Sequence, residues 1–316
     1  MIIGGMTTLP ETTLSLPASA ALRLTDWGVI RAQGEDAAKF LHSQLTQDFA
    51  LLGPDQARLA GFCSAKGRLL ATLLGWREGE HDVLLALPAA LLPAILKRLS
   101  MFVLRAKCKL SDASAEWAIW GEIAQPQDGA RWALSREDGE DGEGARIRLP
   151  DVASHSRWLR IQPAAAAAPA LPTLNAQDWA WLEVQAGLAW VQAATQEQFV
   201  PQMLNLELLD GVNFKKGCYP GQEVVARSQY RGTLKRRTFL YELQGAAQAG
   251  QEIFHSEDPG QPAGLVALAA VRDDGRSLIL AETKIAALES GSLHLGGPDG
   301  PRLQPRALPY ELKSLE

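Results

Sequence analysis

The stretch KKGCYPGQE, residues 215–223, sets one cysteine, Cys218, between two lysines and a Tyr-Pro-Gly bend. The thiolate is the nucleophilic form of cysteine, and a helix N-terminus or neighbouring cations favour it. Both features are expected here. Gly217 and Pro220-Gly221 permit a sharp turn. Residues 222–229 suit a helix, and Lys215 and Lys216 precede the sulfur. No histidine lies within thirty residues of Cys218, so a local base would have to arrive from a distant segment. Two readings stay open: a poised nucleophile, or a small buried residue filling a bend. Cys63 and Cys108 lie in strand-like surroundings and read as structural.

The same segment is strongly basic. Between 213 and 237 stand Lys215, Lys216, Arg227, Arg231, Lys235, Arg236 and Arg237 against the single carboxylate Glu223. The segment is therefore net +6 in a chain of net −5, which leaves −11 for the rest. Such a stripe binds an anion (a polyglutamate tail, a phosphate, RNA), or it is a solvated helix face plus a charged edge strand.

The elements that must position these residues come from a chain of 316 residues, 47% hydrophobic and 21% charged, enough for two or three cores. The three cysteines, an odd number with no C-x-x-C spacing, argue against a disulfide framework or a zinc ribbon, and the five scattered histidines have no metal-ligand spacing. No bound metal is expected. The N-terminus lacks a basic start and a sustained apolar run, and proline breaks the longest apolar stretches. The expectation is a cytoplasmic protein with no membrane contact.

Val29 and Ile30 suit a strand, and Gly34 breaks it. Apolar residues at Ala37, Phe40, Leu41 and Leu45 then keep helical spacing. RLAGFCSAKGRLLATLL reads as a hairpin turning at Ala65-Lys66-Gly67, HDVLLALP as a strand, and PAALLPAILKRLSMF as a helix opened by prolines. The acidic run EDGEDGEGAR, 137–146, reads as a loop or hairpin tip, and the Pro- and Ala-rich stretch 161–172 as a linker. Asn175 offers an N-cap to a helix through Trp179, Leu182 and Ala186 that stops near Gly187. From Thr238 onward, short β-like runs separated by Gly, Pro and Asp suggest a small antiparallel barrel. The pattern predicts an α+β protein, with residues 1–235 as two interlocked subdomains and 236–316 as a C-terminal β-barrel domain.

FKKGCYPGQEVVAR, followed by RGTLKRR, closely resembles the K-G-C-Y-x-G-Q-E motif of the YgfZ-type folate-binding proteins, relatives of the glycine-cleavage aminomethyltransferase. FVPQMLNLELLDGVNF, LTDWGVIRAQGEDAAKFLHSQLTQD, CSAKGRLLATL and the ending LPYEL are similar too, and the likeness is weakest over 112–172. The resemblance implies an aminomethyltransferase-like fold of three domains around a central channel that holds tetrahydrofolate or a derivative. It also implies support for iron–sulfur cluster assembly or repair in client enzymes met transiently, including those that methylthiolate tRNA. The tRNA itself would be met only indirectly, and the protein would be a monomer.

Carried onto this sequence, the motif makes Cys218 and Lys216 the reactive or interaction pair, with Tyr219, Gly221, Gln222 and Glu223 completing it. Trp27 and Trp179 fall where the family carries tryptophans that contact folate, and a flat pteridine packs well on indole. With Trp181 and Leu182 beside it, Trp179 is equally readable as core. Relatives read I-E-A-G where this chain has Val184-Gln185-Ala186-Gly187. Gln185, the residue at the pterin-contacting position, offers a carbonyl acceptor but no charge, and Glu183 is expected on another helix face. Two alternatives remain: a folate-dependent methyl- or aminomethyltransferase, and a direct RNA binder acting through residues 231–237. Whether any turnover occurs is left open.

Overall fold

The computed structural model describes residues 16–139, 142–152, 154–230 and 234–312. The apolar run LLATLLGW opening β4 (Leu69–Gly79) is buried throughout, as befits a strand covered on both faces. It lies between β3 (Ala57–Cys63) and β5 (Asp82–Pro88), and β2 (Trp27–Gln33) and β6 (Lys109–Asp112) complete a five-stranded antiparallel sheet. Its strand order is β3-β4-β5-β2-β6. Helix α1 (Ala37–Gln44) buries Ala37, Phe40 and Leu41 against this sheet. Helix α2 (Leu92–Ser100) carries Lys97 and Arg98 in its last turn, where cations suit the helix dipole.

A second five-stranded sheet runs in the order β1-β7-β10-β9-β8. Its strands are β1 (Ser19–Arg23), β7 (Trp117–Ala124), β8 (Leu134–Gly139), β9 (Gly142–Arg148) and β10 (Ser156–Pro163). Because β1 precedes β2 yet joins β7, the chain crosses between the two sheets near its start and again after β6. The acidic run 137–146 lies on the β8–β9 hairpin, whose tip is outside the described residues. The stretch 161–172 is not all linker. Ile161 is fully buried and pairs with Ile119 and Ala145, so β10 continues to Pro163, where the missing N–H suits a strand end.

Asn175 caps α3 (Ala176–Gln185), its side chain accepting the Gln177 N–H at 2.7 Å. Gly187, at φ +72°, ends the helix in the left-handed region, and a Cβ there would lie 2.6 Å from the Tyr310 ring. The third sheet, β15-β12-β13-β14-β11-β16, is C-terminal. It comprises β11 (Arg236–Gln244), β12 (Glu252–His255), β13 (Asp258–Val271), β14 (Arg276–Lys284), β15 (Leu293–Leu295) and β16 (Gln304–Arg306). The segment 301–306 hydrogen-bonds to β15 through Pro301 and Leu303 and pairs with β11 as β16, so it links the two ends of the sheet, which curls closed. Its strands alternate. Tyr241, Ile279 and Ala281 fill the sheet's own core, while Leu240, Leu278 and Leu280 join the main core, where α3 packs against β13 and β14.

Candidate functional site

The cysteine loop is held from below by Lys216. Its ammonium donates to the carbonyls of His42 and Leu45 (2.8 Å to the latter), at the C-terminal end of α1, and lies 4.7 Å over the Tyr219 ring. The last carbonyls of a helix lack intrahelical partners, so this lysine caps α1. Burial brings Lys216 down to about 8, the charges of Asp48 and Cys218 only partly offsetting it. Lys216 is thus tied to the α1 carbonyls rather than standing free beside the sulfur, while Lys215 is exposed. Spacing along the chain shows the lysine but not the helix end that claims it.

Tyr219 is buried, and Cys218 is exposed. Gly221 sits at φ +79°, and a Cβ there would come within 2.4 Å of the Ser64 carbonyl oxygen. Only glycine lets the backbone settle on the β3–β4 turn at residues 64–67. Helix α4 (Gln222–Tyr230) follows, anchored by buried Val225, whose carbonyl accepts from the Gln202 side chain at 2.8 Å. Gln222 is half-buried and Glu223 exposed in its first turn. The other thiols differ sharply. Burial pushes Cys63 up to about 12, and burial followed by the charge of Asp36 pushes Cys108 up to about 11.

One histidine does arrive from far along the chain. His42, on α1, has Nδ1 2.9 Å from Asp48 Oδ1, and that oxygen also accepts the Leu51 N–H at 2.9 Å. A Cβ built on Gly217 would stand 3.4 Å from His42 Nε2. In the sequence Gly217 reads only as part of a turn and His42 is not singled out, since α1 reads only as an amphipathic helix.

A cavity of about 620 Å³ forms the second part of the site. Trp27 enters from the start of β2, Trp179 and Glu183 from α3, and Trp190 from the segment beyond it. Trp27 and Trp190 meet edge to face, centroids 4.8 Å apart. Trp179 is 5% exposed. Its ring lies against the backbone of Gly121, where a Cβ would come within 2.7 Å, and the Arg157 guanidinium sits 4.6 Å from its centroid. Trp179 is thus both core and cavity wall, whereas Trp27 is half-buried.

Glu183, not Gln185, lines this cavity. At 100° per residue, Glu183 comes round under Trp179 one turn later, and Gln185 falls on another face. The Glu183 carboxylate accepts the Trp190 indole N–H at 2.7 Å and pairs with Arg157, whose side chain is 1% exposed. A charged acceptor is therefore fixed among three tryptophans. Register places the two parts of the site at one end of the first sheet. Trp27 pairs with Pro88, Ala86 with Leu74, and Leu69 with Cys63 beside the turn that supports Gly221. From Val191 to Phe199 the chain runs along the start of β4, with Val191 N–H on Thr72 Oγ1 and Leu69 N–H on the Phe199 carbonyl.

The basic stripe does not form one face. Arg236 pairs with Glu282, Arg237 pairs with Glu207 with both side chains 5% exposed, and Lys216 is buried. Lys215, Arg227 and Lys235 are exposed, and Arg231 lies outside the described residues. Charge counting along the sequence cannot see Glu207 and Glu282. Among the described residues no group of three or more His, Cys, Asp or Glu is placed to hold a metal ion, and no helix is long and apolar enough to cross a membrane.

No protein-family model matches the chain. It is 30% identical over 326 residues to the tRNA-modifying protein YgfZ of Escherichia coli O45:K1 strain S88, covering 96% of this chain and 97% of that protein. It is 33% identical over 267 residues to the tRNA-modifying protein YgfZ of Serratia proteamaculans strain 568, covering 77% of each. Among solved structures, the glycine cleavage system aminomethyltransferase T from Bartonella henselae matches with a TM-score of 0.68 at 17% identity, over 95% of this chain and 88% of that one. The fold is α+β and aminomethyltransferase-like.

Proposed function

Because this chain belongs to the YgfZ family, we propose that it is a folate-binding accessory protein that supports iron–sulfur cluster assembly or repair in specific enzymes, including those that methylthiolate tRNA. The observation that carries the reading is the meeting of Trp27, Trp179, Trp190 and Glu183 on the wall of one cavity of about 620 Å³. A pocket of this size suits a reduced pterin with its aminobenzoyl group. The residues fit such a ligand chemically. Trp27 offers a half-open indole for the flat ring, and Glu183 offers a charged acceptor for the N–H donors of a pterin's amidine edge.

In this reading residues 1–235 make the folate-binding region, residues 236–316 the barrel domain, and the cavity is part of the central channel. Tetrahydrofolate or a derivative is the cofactor. Cys218 is the reactive or interaction thiol, and Lys216, Tyr219 and Gly221 hold its loop in place, with Gln222 and Glu223 opening the helix behind it. In cells lacking the protein, an iron–sulfur tRNA-methylthiolating enzyme loses activity and the wild-type chain restores it. Failure of Cys218→Ser to restore it supports the thiol role, and full restoration removes the thiol from the function.

A folate-dependent aminomethyltransferase is the second reading, favoured by the fold and by the Glu183 carboxylate. Formation of methylenetetrahydrofolate from a methylamine donor supports it, and a null result across such donors removes it.

A further inference from the structure

We propose that Cys218, His42 and Asp48 work as a thiol–imidazole–carboxylate set in which His42 Nε2 accepts the Cys218 proton. The inference rests on the reading of Cys218 as the functional thiol. It adds a base from the other end of the chain.

Four observations converge. Asp48 Oδ1 lies 2.9 Å from His42 Nδ1, which holds the proton on that nitrogen and leaves the Nε2 lone pair free. Among the described residues Nε2 has no hydrogen-bond partner, and it faces Gly217, the residue before Cys218, with a built Cβ 3.4 Å away. Lys216 ties the loop to the carbonyl of His42 itself, so thiol and ring share one anchor. Cys218 is exposed, while the His42 and Asp48 side chains are only 21% and 11% exposed, so the dyad is shielded and the nucleophile open.

Asp48 stays ionised. Burial alone would raise its carboxyl, but the N–H groups of Leu51 and Ala50 and the His42 ring together hold it below the ordinary value. Other charged groups on the elements packed here are Lys39 on α1, Lys66 and Arg68 in the β3–β4 connection, Lys215 and Lys216 in the loop, and Glu223 and Arg227 in α4. The step moves one proton from Sγ to Nε2. Attack on an alkyl halide then forms an S–C bond as the carbon–halogen bond breaks, and the imidazolium keeps the proton until solvent removes it.

The test is the rate of Cys218 carboxamidomethylation by iodoacetamide between pH 5.5 and 9, followed by mass spectrometry on the full chain. The reagent is uncharged, so the surrounding lysines do not steer it. Wild type, His42→Gln and Asp48→Asn are compared, with thermal midpoint and tetrahydrofolate affinity as controls for folding. At pH 7 His42→Gln is expected to react at least about fivefold more slowly, its rate rising only toward the alkaline limb of an isolated thiol. Asp48→Asn is expected to fall between the two. Superimposable profiles for wild type and His42→Gln overturn the proposal. They leave the folate reading untouched, because His42 does not line the tryptophan cavity. Conversely, failure of tetrahydrofolate to bind wild type would remove that reading without changing the alkylation profile.

Discussion

The indole N–H of Trp190 donates to the Glu183 carboxylate at 2.7 Å, and Arg157 pairs with the same carboxylate while its guanidinium covers Trp179. One acidic side chain thus joins two tryptophans and a buried cation into the wall of the cavity. Glu183→Gln keeps the shape but leaves the Arg157 charge unpaired, which costs about 3–5 kcal/mol when a buried pair loses one member. Chemical denaturation should show a loss of that order. Gln185→Ala, half-buried and off the cavity wall, should change stability by less than about 0.5 kcal/mol and leave ligand affinity unchanged.

The two family-assigned tryptophans should separate. Trp179, packed on Gly121 and Arg157, should lose about 3–5 kcal/mol of stability on truncation to alanine. Trp27, half-buried at the cavity, should cost less stability but about fivefold in tetrahydrofolate affinity. Thermal melts beside calorimetric titrations distinguish these effects.

Thiol reactivity should follow exposure and burial. At pH 8 one equivalent of a disulfide reagent should react quickly, at Cys218. Cys108, half-buried and pushed up to about 11, should react more slowly, and Cys63, buried and pushed up to about 12, should wait for unfolding. Peptide mapping after a short pulse checks the order.

Lys216 gives a pH dependence with a definite sign. Its value falls from 10.5 to about 8 on folding, chiefly through burial. Below about 8 both states hold the proton and the penalty of burying the charge is fully present. Between about 8 and 10.5 the unfolded chain still binds a proton that the folded chain has released, so stability rises with pH. Relative to Lys216→Met, wild type should therefore gain stability from pH 8 to pH 10 in urea unfolding. A difference that stays flat over that window would show that the ammonium keeps its proton on the α1 carbonyls.

Gly221→Ala should be disproportionately harmful. Its φ of +79° and a Cβ 2.4 Å from the Ser64 carbonyl oxygen leave no room for a methyl group. A loss of about 2 kcal/mol or more is expected in a denaturant melt, with altered Cys218 alkylation, because the loop must lift from the β3–β4 turn.

Much of this architecture is legible in local patterns. The apolar run of β4, the Asn175 cap and the Gly187 stop each express a short-range rule, and so does the alternation along β11 and β14. The motif marks Cys218, and the composition after Tyr-Pro-Gly suits the helix found there. What escaped depends on contacts between distant segments. Lys216 reaches a helix end at His42 and Leu45, Arg237 finds Glu207, and His42 meets Gly217. Gln185 stands where the family pattern has an acid. Rotation along α3 nonetheless brings Glu183, one turn from Trp179, onto the cavity wall. The strand extension to Pro163 is masked because Ile161-Gln162-Pro163 runs straight into the Pro- and Ala-rich stretch 164–172, which has little β signal of its own.

The most direct measurement is a titration of the full chain with tetrahydrofolate, following tryptophan fluorescence with inner-filter correction, in wild type, Trp27→Ala and Gln185→Ala. A saturable change is predicted in wild type and in Gln185→Ala with equal midpoints, and a midpoint about fivefold higher in Trp27→Ala. A wild-type signal that never saturates, or a Trp27→Ala curve superimposable on wild type, would contradict the assignment of the tryptophan cavity as the folate site.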